Sequence, residues 1–184
     1  MPGVDSLKGQ LLLASPSLVD PNFRRAVVLV TEHNEEGAAG LVLNRLSQTA
    51  VADAVPAILP LVAEEERVYV GGPVQQSAVL VLAEFDDPED AALLVVDDVG
   101  FVPSDGDFEL LAGATRRARV FAGYAGWGAG QLESELEESS WIVEAAGGLD
   151  LFPEPETDLW STVLHSKGGV YRVVALMPED PSQN

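Results

Sequence analysis

The feature that most constrains this chain is its punctuation: apolar runs of strand length recur along it, each cut short before a long helix could form. Residues 10–14 make one such run, stopped by Ser15 and Pro16, and residues 26–31 make a continuous β-branched one, as a buried strand would. Residues 39–43 resume after the polar segment 32–37 and stop at Asn44 and Arg45, so a hairpin is the simplest reading of this region. Further strands are predicted at 67–70, ended by Gly71, Gly72 and Pro73, and at 78–83, 92–96, 119–122 and 140–145. Residues 97–100 read as a tight turn.

Helical spacing is scarcer. Val51, Ala54, Val55 and Ile58 share a face, with Ser47 or Thr49 as the cap and Pro56 as a break. Ser104 and Asp107 read as a capping box ahead of Phe108 and Leu111, and Gly113 as the stop. Leu132 and Leu136 predict a short amphipathic helix, and Leu159, Trp160, Val163 and Leu164 a last one ended by Gly168. Strands outnumber helices without alternating with them, which predicts an α+β domain on a mostly antiparallel sheet. A chain of 184 residues is expected to be one globular domain over 1–184, with 1–8 and 178–184 frayed. Trp127, Trp141, Trp160, Phe23, Phe121 and Phe152 are its expected aromatic anchors.

Charge narrows the function classes. Asp and Glu total 30 against 10 Lys and Arg, a formal charge of −20. That field repels phosphate backbones and anionic lipids, so direct duplex nucleic-acid binding and membrane binding are disfavoured. The one dense basic cluster, Arg116, Arg117 and Arg119, reads as strand-edge arginines paired with neighbouring acids, with a small anion site as the second reading. The chain has no cysteine, which excludes disulfides, thiol nucleophiles and thiolate metal sites together. Residues 1–10 carry no secretory signal and no run is long enough to span a membrane, so the cytoplasm is the expected location.

Catalytic chemistry finds little support. The glycines at 123, 126, 128 and 130 fit neither a Walker loop nor a dinucleotide fingerprint, and an acidic helix follows them. They read as a tight turn that lets Trp127 pack against backbone. His33 stands among Glu32, Glu35 and Glu36 and reads as part of a solvated acidic loop; His165 reads as a charge at a helix C-terminus. No metal site and no cofactor are expected, no serine-hydrolase elbow occurs, and no catalytic residue is assigned.

Several segments taken together carry a resemblance. They are residues 9–16, then 21–27, then Glu32 and His33 leading to 37–45, then Tyr69, Val70, Gly71, Gly72, Pro73 and Val74. The block from Gly123 through Trp127, Gly128, Gly130, Gln131, Leu132 and Glu133 to Glu135 and Leu136 follows, and then Trp141 and Trp160. In this order they resemble the YqgE/AlgH family of bacterial proteins, with Leu46 and Ala129 standing where that family often has Pro. The resemblance implies an α+β domain on a mostly antiparallel, partly barrel-like sheet with surrounding short helices, in the bacterial cytosol. It implies no reaction, and the usual label, transcriptional regulator, sits poorly with direct DNA contact at this charge.

The preferred reading is a non-enzymatic binding or regulatory module acting through a protein or a small ligand. Its candidate contact residues are His33, Asn44, Arg45, Gly71, Gly72, Pro73, Trp127 and Gln131, expected to line one surface because each falls at the end of a predicted element. The alternatives are a transcriptional regulator acting directly or indirectly, and a hydrolase or isomerase using carboxylates with His33 as general base. The sequence leaves the ligand, the partner and the oligomeric state open.

Overall fold

The computed structural model describes residues 5–178. Of the ends expected to fray, 1–8 and 178–184, residues 1–4 and 179–184 lie outside the described residues. Ten strands form one sheet: β1 (Gln10–Ala14), β2 (Val27–Asn34), β3 (Gly37–Val42), β4 (Leu46–Ala50), β5 (Arg67–Val70), β6 (Val74–Phe85), β7 (Leu93–Val96), β8 (Val99–Phe101), β9 (Thr115–Gly128) and β10 (Trp141–Ala145). Their order is β10-β1-β2-β3-β9-β6-β8-β7, with β5 and then β4 branching off β9. Every pairing is antiparallel except β5 with β9. Among the described residues β10 and β7 do not pair with each other, so the sheet stays open and is not closed into a barrel. Short helices surround it: α1 (Val51–Ala54), α2 (Phe108–Ala112), α3 (Gln131–Glu137), α4 (Leu159–Lys167) and α5 (Tyr171–Val174).

The continuous apolar runs follow from coverage of both faces. Leu11, Leu13, Val27, Leu29, Leu41 and Leu43 point to one side, where Trp160, Val163 and Leu164 of α4 pack on them. Leu12, Ala14, Val28, Val30 and Val42 point to the other, under Trp127, Trp141 and Leu132 of α3. A strand buried on both faces has no polar positions to alternate with. Trp160 is tied to β1 by its indole N–H, which donates to the Ala14 carbonyl at 2.8 Å. A third cluster lies where α1, α2 and the 3-10 turn Pro56–Leu61 cover Val81, Phe85 and Val120.

Three local expectations are corrected. Ser47 and Thr49 lie in β4, and α1 starts at Val51 after Ala50, which offers no side-chain cap. Asp107, not Ser104, caps α2, accepting from the Glu109 and Leu110 N–H groups. The glycine-rich segment is strand as far as Gly128, because β9 is the spine that β3, β5 and β6 all join. At Gly123 glycine serves close approach: a Cβ there would sit 2.6 Å from the Gly72 carbonyl oxygen.

Strand β9 also changes phase. Phe121 belongs to the face with Tyr69 and Trp160, whereas Ala125 and Trp127, also odd-numbered, belong to the opposite face. Strict alternation would put all of them on one side. The break falls at Gly123, whose φ of +75° is a left-handed conformation open to glycine at little cost.

Candidate functional site

The candidate residues from the sequence separate into two groups joined by β9. The first surrounds α3. His33 is not in a solvated loop: it lies in β2 with its side chain 2% exposed. Its Nδ1 accepts the Leu7 N–H at 3.0 Å, so Nε2 carries the proton and donates to Glu133 Oε1 at 2.5 Å. That hydrogen bond holds the Glu133 carboxyl below its ordinary range, with a smaller contribution from the Glu133 backbone N–H.

Two residues further along α3, Glu135 gathers three donors. Its Oε1 accepts the indole N–H groups of Trp127 at 3.1 Å and Trp141 at 3.0 Å, and its Oε2 accepts from Gln131 Nε2 at 3.1 Å. Gln131 Oε1 in turn accepts the Gly128 N–H at 2.9 Å. Phe23 stacks on Trp127 and meets Trp141 edge-on, which closes an aromatic cap beside the helix. The motif residues of this block therefore dock a seven-residue helix onto the sheet, and their polar atoms serve that purpose.

The second group sits at the corner after β3. Asn44 acts as backbone for the neighbouring chain: Oδ1 accepts the Val27 N–H at 3.0 Å and Nδ2 donates to the Arg25 carbonyl at 2.9 Å. Arg45 donates from Nη2 to the Arg24 carbonyl. Gly71 is buried between strands, its N–H on the Ala122 carbonyl and its own carbonyl taking the Val42 N–H. Gly72 is buried beside it and Pro73 is exposed. His33, Trp127 and Gln131 are thus brought together around α3, and Asn44, Arg45 and Gly71 around the β5 crossing. The eight do not share one contact surface.

Beneath that corner is a feature the sequence reading did not single out. A cavity of about 40 Å³ is lined by Leu43, Asn44, Leu46, Tyr69, Arg119 and Leu159, with the 153–157 segment over it. Tyr69 is 3% exposed, and its hydroxyl is the one fully buried side-chain polar atom without a hydrogen-bond partner among the described residues. Burial raises the Tyr69 pKa above its ordinary value, against the opposing charge of Arg119, so the phenol stays protonated. Arg119 is 8% exposed, with Cζ 4.5 Å from the centroid of the Tyr69 ring and 5.9 Å from that of Phe152. The sequence signal was the basic cluster ending at Arg119, directly before the apolar Val120 and Phe121, where a small anion site is the second reading.

The neighbouring arginines behave as strand-edge residues. Arg116 pairs with Glu84, Asp86 and Asp98, and Arg117 with Glu84 and Asp150. The two guanidinium groups hold the Glu84 carboxyl below its ordinary range. With Arg119 they line an open groove of about 440 Å³ that shares Arg119, Glu154 and Pro155 with the lining of the cavity. Among the described residues no three His, Asp or Glu side chains converge as metal ligands, and no helix is long and apolar enough to cross a membrane.

Comparison with known proteins agrees with this architecture. The profile of the AlgH-like family (DUF179) matches residues 11–172. A UPF0301 protein of Streptomyces coelicolor is 44% identical over 191 residues, spanning 100% of this chain and 98% of its own length. A crystal structure from Corynebacterium diphtheriae superposes with a TM-score of 0.86 at 28% identity, covering 96% of this chain and 95% of that one. The solution structure of the AlgH protein of Pseudomonas aeruginosa gives 0.73 at 29% identity, with 97% of each chain covered. Matched along nearly its whole length in sequence and in fold, this chain belongs to the AlgH-like family, whose label names no reaction.

Proposed function

We propose that this chain is a non-enzymatic binding module, acting through a small ligand or a partner protein rather than by turning over a substrate. One observation carries the reading: both ring nitrogens of His33 are engaged, Nδ1 by the Leu7 N–H and Nε2 by Glu133. A general base needs a free lone pair within reach of a substrate proton, and this imidazole has none to offer while α3 stays docked. His33 also lines none of the pockets described above. The hydrolase or isomerase reading thereby loses its leading residue.

Regulation of gene expression, the usual role attached to the family's name, is compatible with this reading only at one remove. Arg116 and Arg117 are neutralised by Glu84 of β6 and by Asp98 and Asp150 in neighbouring connections, which leaves little free positive charge for a duplex. The module is taken to act in the bacterial cytosol. The test is capture of the full-length protein from its native bacterium, with mass spectrometry of retained proteins and small molecules. A retained molecule that survives prolonged incubation with the protein is the expected result; its conversion to product would overturn the reading. A gel-shift series at low salt is expected to show no duplex binding, and binding that falls steeply with salt would put direct DNA contact first.

A further inference from the structure

We infer that the cavity at the β5–β9 crossing binds the carboxylate group of a small monoanionic ligand, with Tyr69 and Arg119 as its hydrogen-bond donors. The inference rests on the binding-module reading and names a ligand class for it.

Tyr69 and Arg119 both line the cavity, the guanidinium over the phenol ring, and both keep donors that no protein acceptor takes up. The Tyr69 hydroxyl has no partner, although a buried hydroxyl normally finds one. The Arg119 guanidinium has five N–H groups to place. One hydrogen bond accounts for it, from Nη2 to the Pro153 carbonyl at 2.8 Å, and among the described residues it has no ion-pair partner. A buried cation without a counter-charge is costly. Its position over the Tyr69 ring offsets only part of that cost.

The missing chemistry is an anionic acceptor with two lone-pair sites. A carboxylate supplies one oxygen for the phenol and one for the guanidinium fork. Charge around the cavity sets the upper limit. Glu154 lines it, and Glu66 and Glu156 both act on Tyr69 through space. A dianion such as phosphate would meet these carboxylates with one guanidinium to balance it. Size gives a second limit: about 40 Å³ holds a carboxylate head beside Leu43, Leu46 and Leu159, and the body of the ligand extends into the groove that Arg119 and Glu154 share. Ordered water is the competing occupant, since this volume exceeds the roughly 10–15 Å³ that one water needs.

The test is a nitrogen-15 NMR titration of the full chain with propionate, propionamide and inorganic phosphate, for the wild type and for Tyr69→Phe. Propionate is expected to give saturable shifts at the Arg119 side chain and around the cavity. Propionamide and phosphate are expected to bind about tenfold more weakly or not at all, as loss of a charge-assisted hydrogen bond implies. Tyr69→Phe keeps the ring under Arg119 and is expected to weaken propionate about tenfold, with the rest of the spectrum unchanged. Flat titrations with all three probes overturn the site and leave water as its occupant. An equal response to propionamide, or a stronger one to phosphate, overturns the ligand class while leaving the binding-module reading in place. Undiminished propionate binding by Tyr69→Phe overturns the role given to the phenol. The binding-module reading itself fails on a different result, turnover of the captured molecule.

Discussion

The environs of α3 and of the β5–β9 crossing are both built from buried polar groups, yet they treat them in opposite ways. Around α3 the donors and acceptors close on one another: His33 is satisfied at both nitrogens, and Glu135 takes two indoles and an amide. At the crossing, a phenol and a guanidinium sit side by side with one hydrogen bond between them and the rest of the protein. A closed network holds an element in place; an incomplete one asks for something from outside. The family's most recognisable block is the closed one. In this chain the block docks a helix too short to fold alone.

Mutations can break or sharpen this contrast. The largest effect is expected from Gly123→Ala, because β9 links the two regions there. The substituted residue would be held at φ +75°, with its Cβ 2.6 Å from the Gly72 carbonyl oxygen. A loss on the order of 3–5 kcal/mol is expected in urea unfolding, with both regions disturbed in the NMR spectrum. Glu135→Ala should cost about 2–3 kcal/mol by leaving two nearly buried indole N–H groups without their acceptor. Differential scanning calorimetry would record this as a Tm lower by about 5–10 °C, with no effect on propionate binding at the crossing.

Glu133→Gln is expected to cost about 1 kcal/mol at pH 7 by weakening the bond to His33. The sign of its pH dependence follows from the lowered carboxyl pKa. The wild-type bond contributes fully above the unfolded value of 4.5 and is lost as pH falls through the lower folded value. The wild type and variant should therefore converge below about pH 4.5 in stability measured by urea titration; a constant gap down to pH 2.5 would show that charge plays no part. Tyr69→Phe has the smallest expected effect and the opposite sign. It deletes a hydroxyl that bonds to nothing in the protein, so stability without ligand should be unchanged or rise by up to about 1 kcal/mol. A loss of more than about 1 kcal/mol would mean that the phenol already has a partner, and the contrast with α3 would disappear.

The sheet was largely legible in the sequence because burial on both faces leaves uninterrupted apolar runs. Residues 10–14 and 67–70 coincide with β1 and β5. The last helix and its Gly168 stop were equally plain, since Leu159, Trp160, Val163 and Leu164 are all buried. The segment 123–128 was misread because glycine marks both turns and close backbone approach, and only the neighbouring strand distinguishes them. His33 was misread for a related reason: its polar neighbours Glu32 and Asn34 face outward, while the imidazole turns inward under α3. Nothing local shows that Glu133, 100 positions away, is its partner. The pairing of Tyr69 with Arg119 was invisible on the same grounds, since it depends on a parallel contact between distant strands.

The left-handed residue in the middle of β9 has a consequence for how this protein can change over time. Upstream of Gly123 the odd-numbered side chains look toward the phenol; downstream they look toward the helix clamp. A single dihedral thus lets one continuous ribbon serve two opposite sides of the sheet. Adding or deleting a residue between Arg119 and Trp127 would reverse that assignment for one end. Either the guanidinium would leave its ring or the indole would leave its carboxylate, so in descendants that keep both, the spacing between them is fixed even where the side chains in between are free to vary.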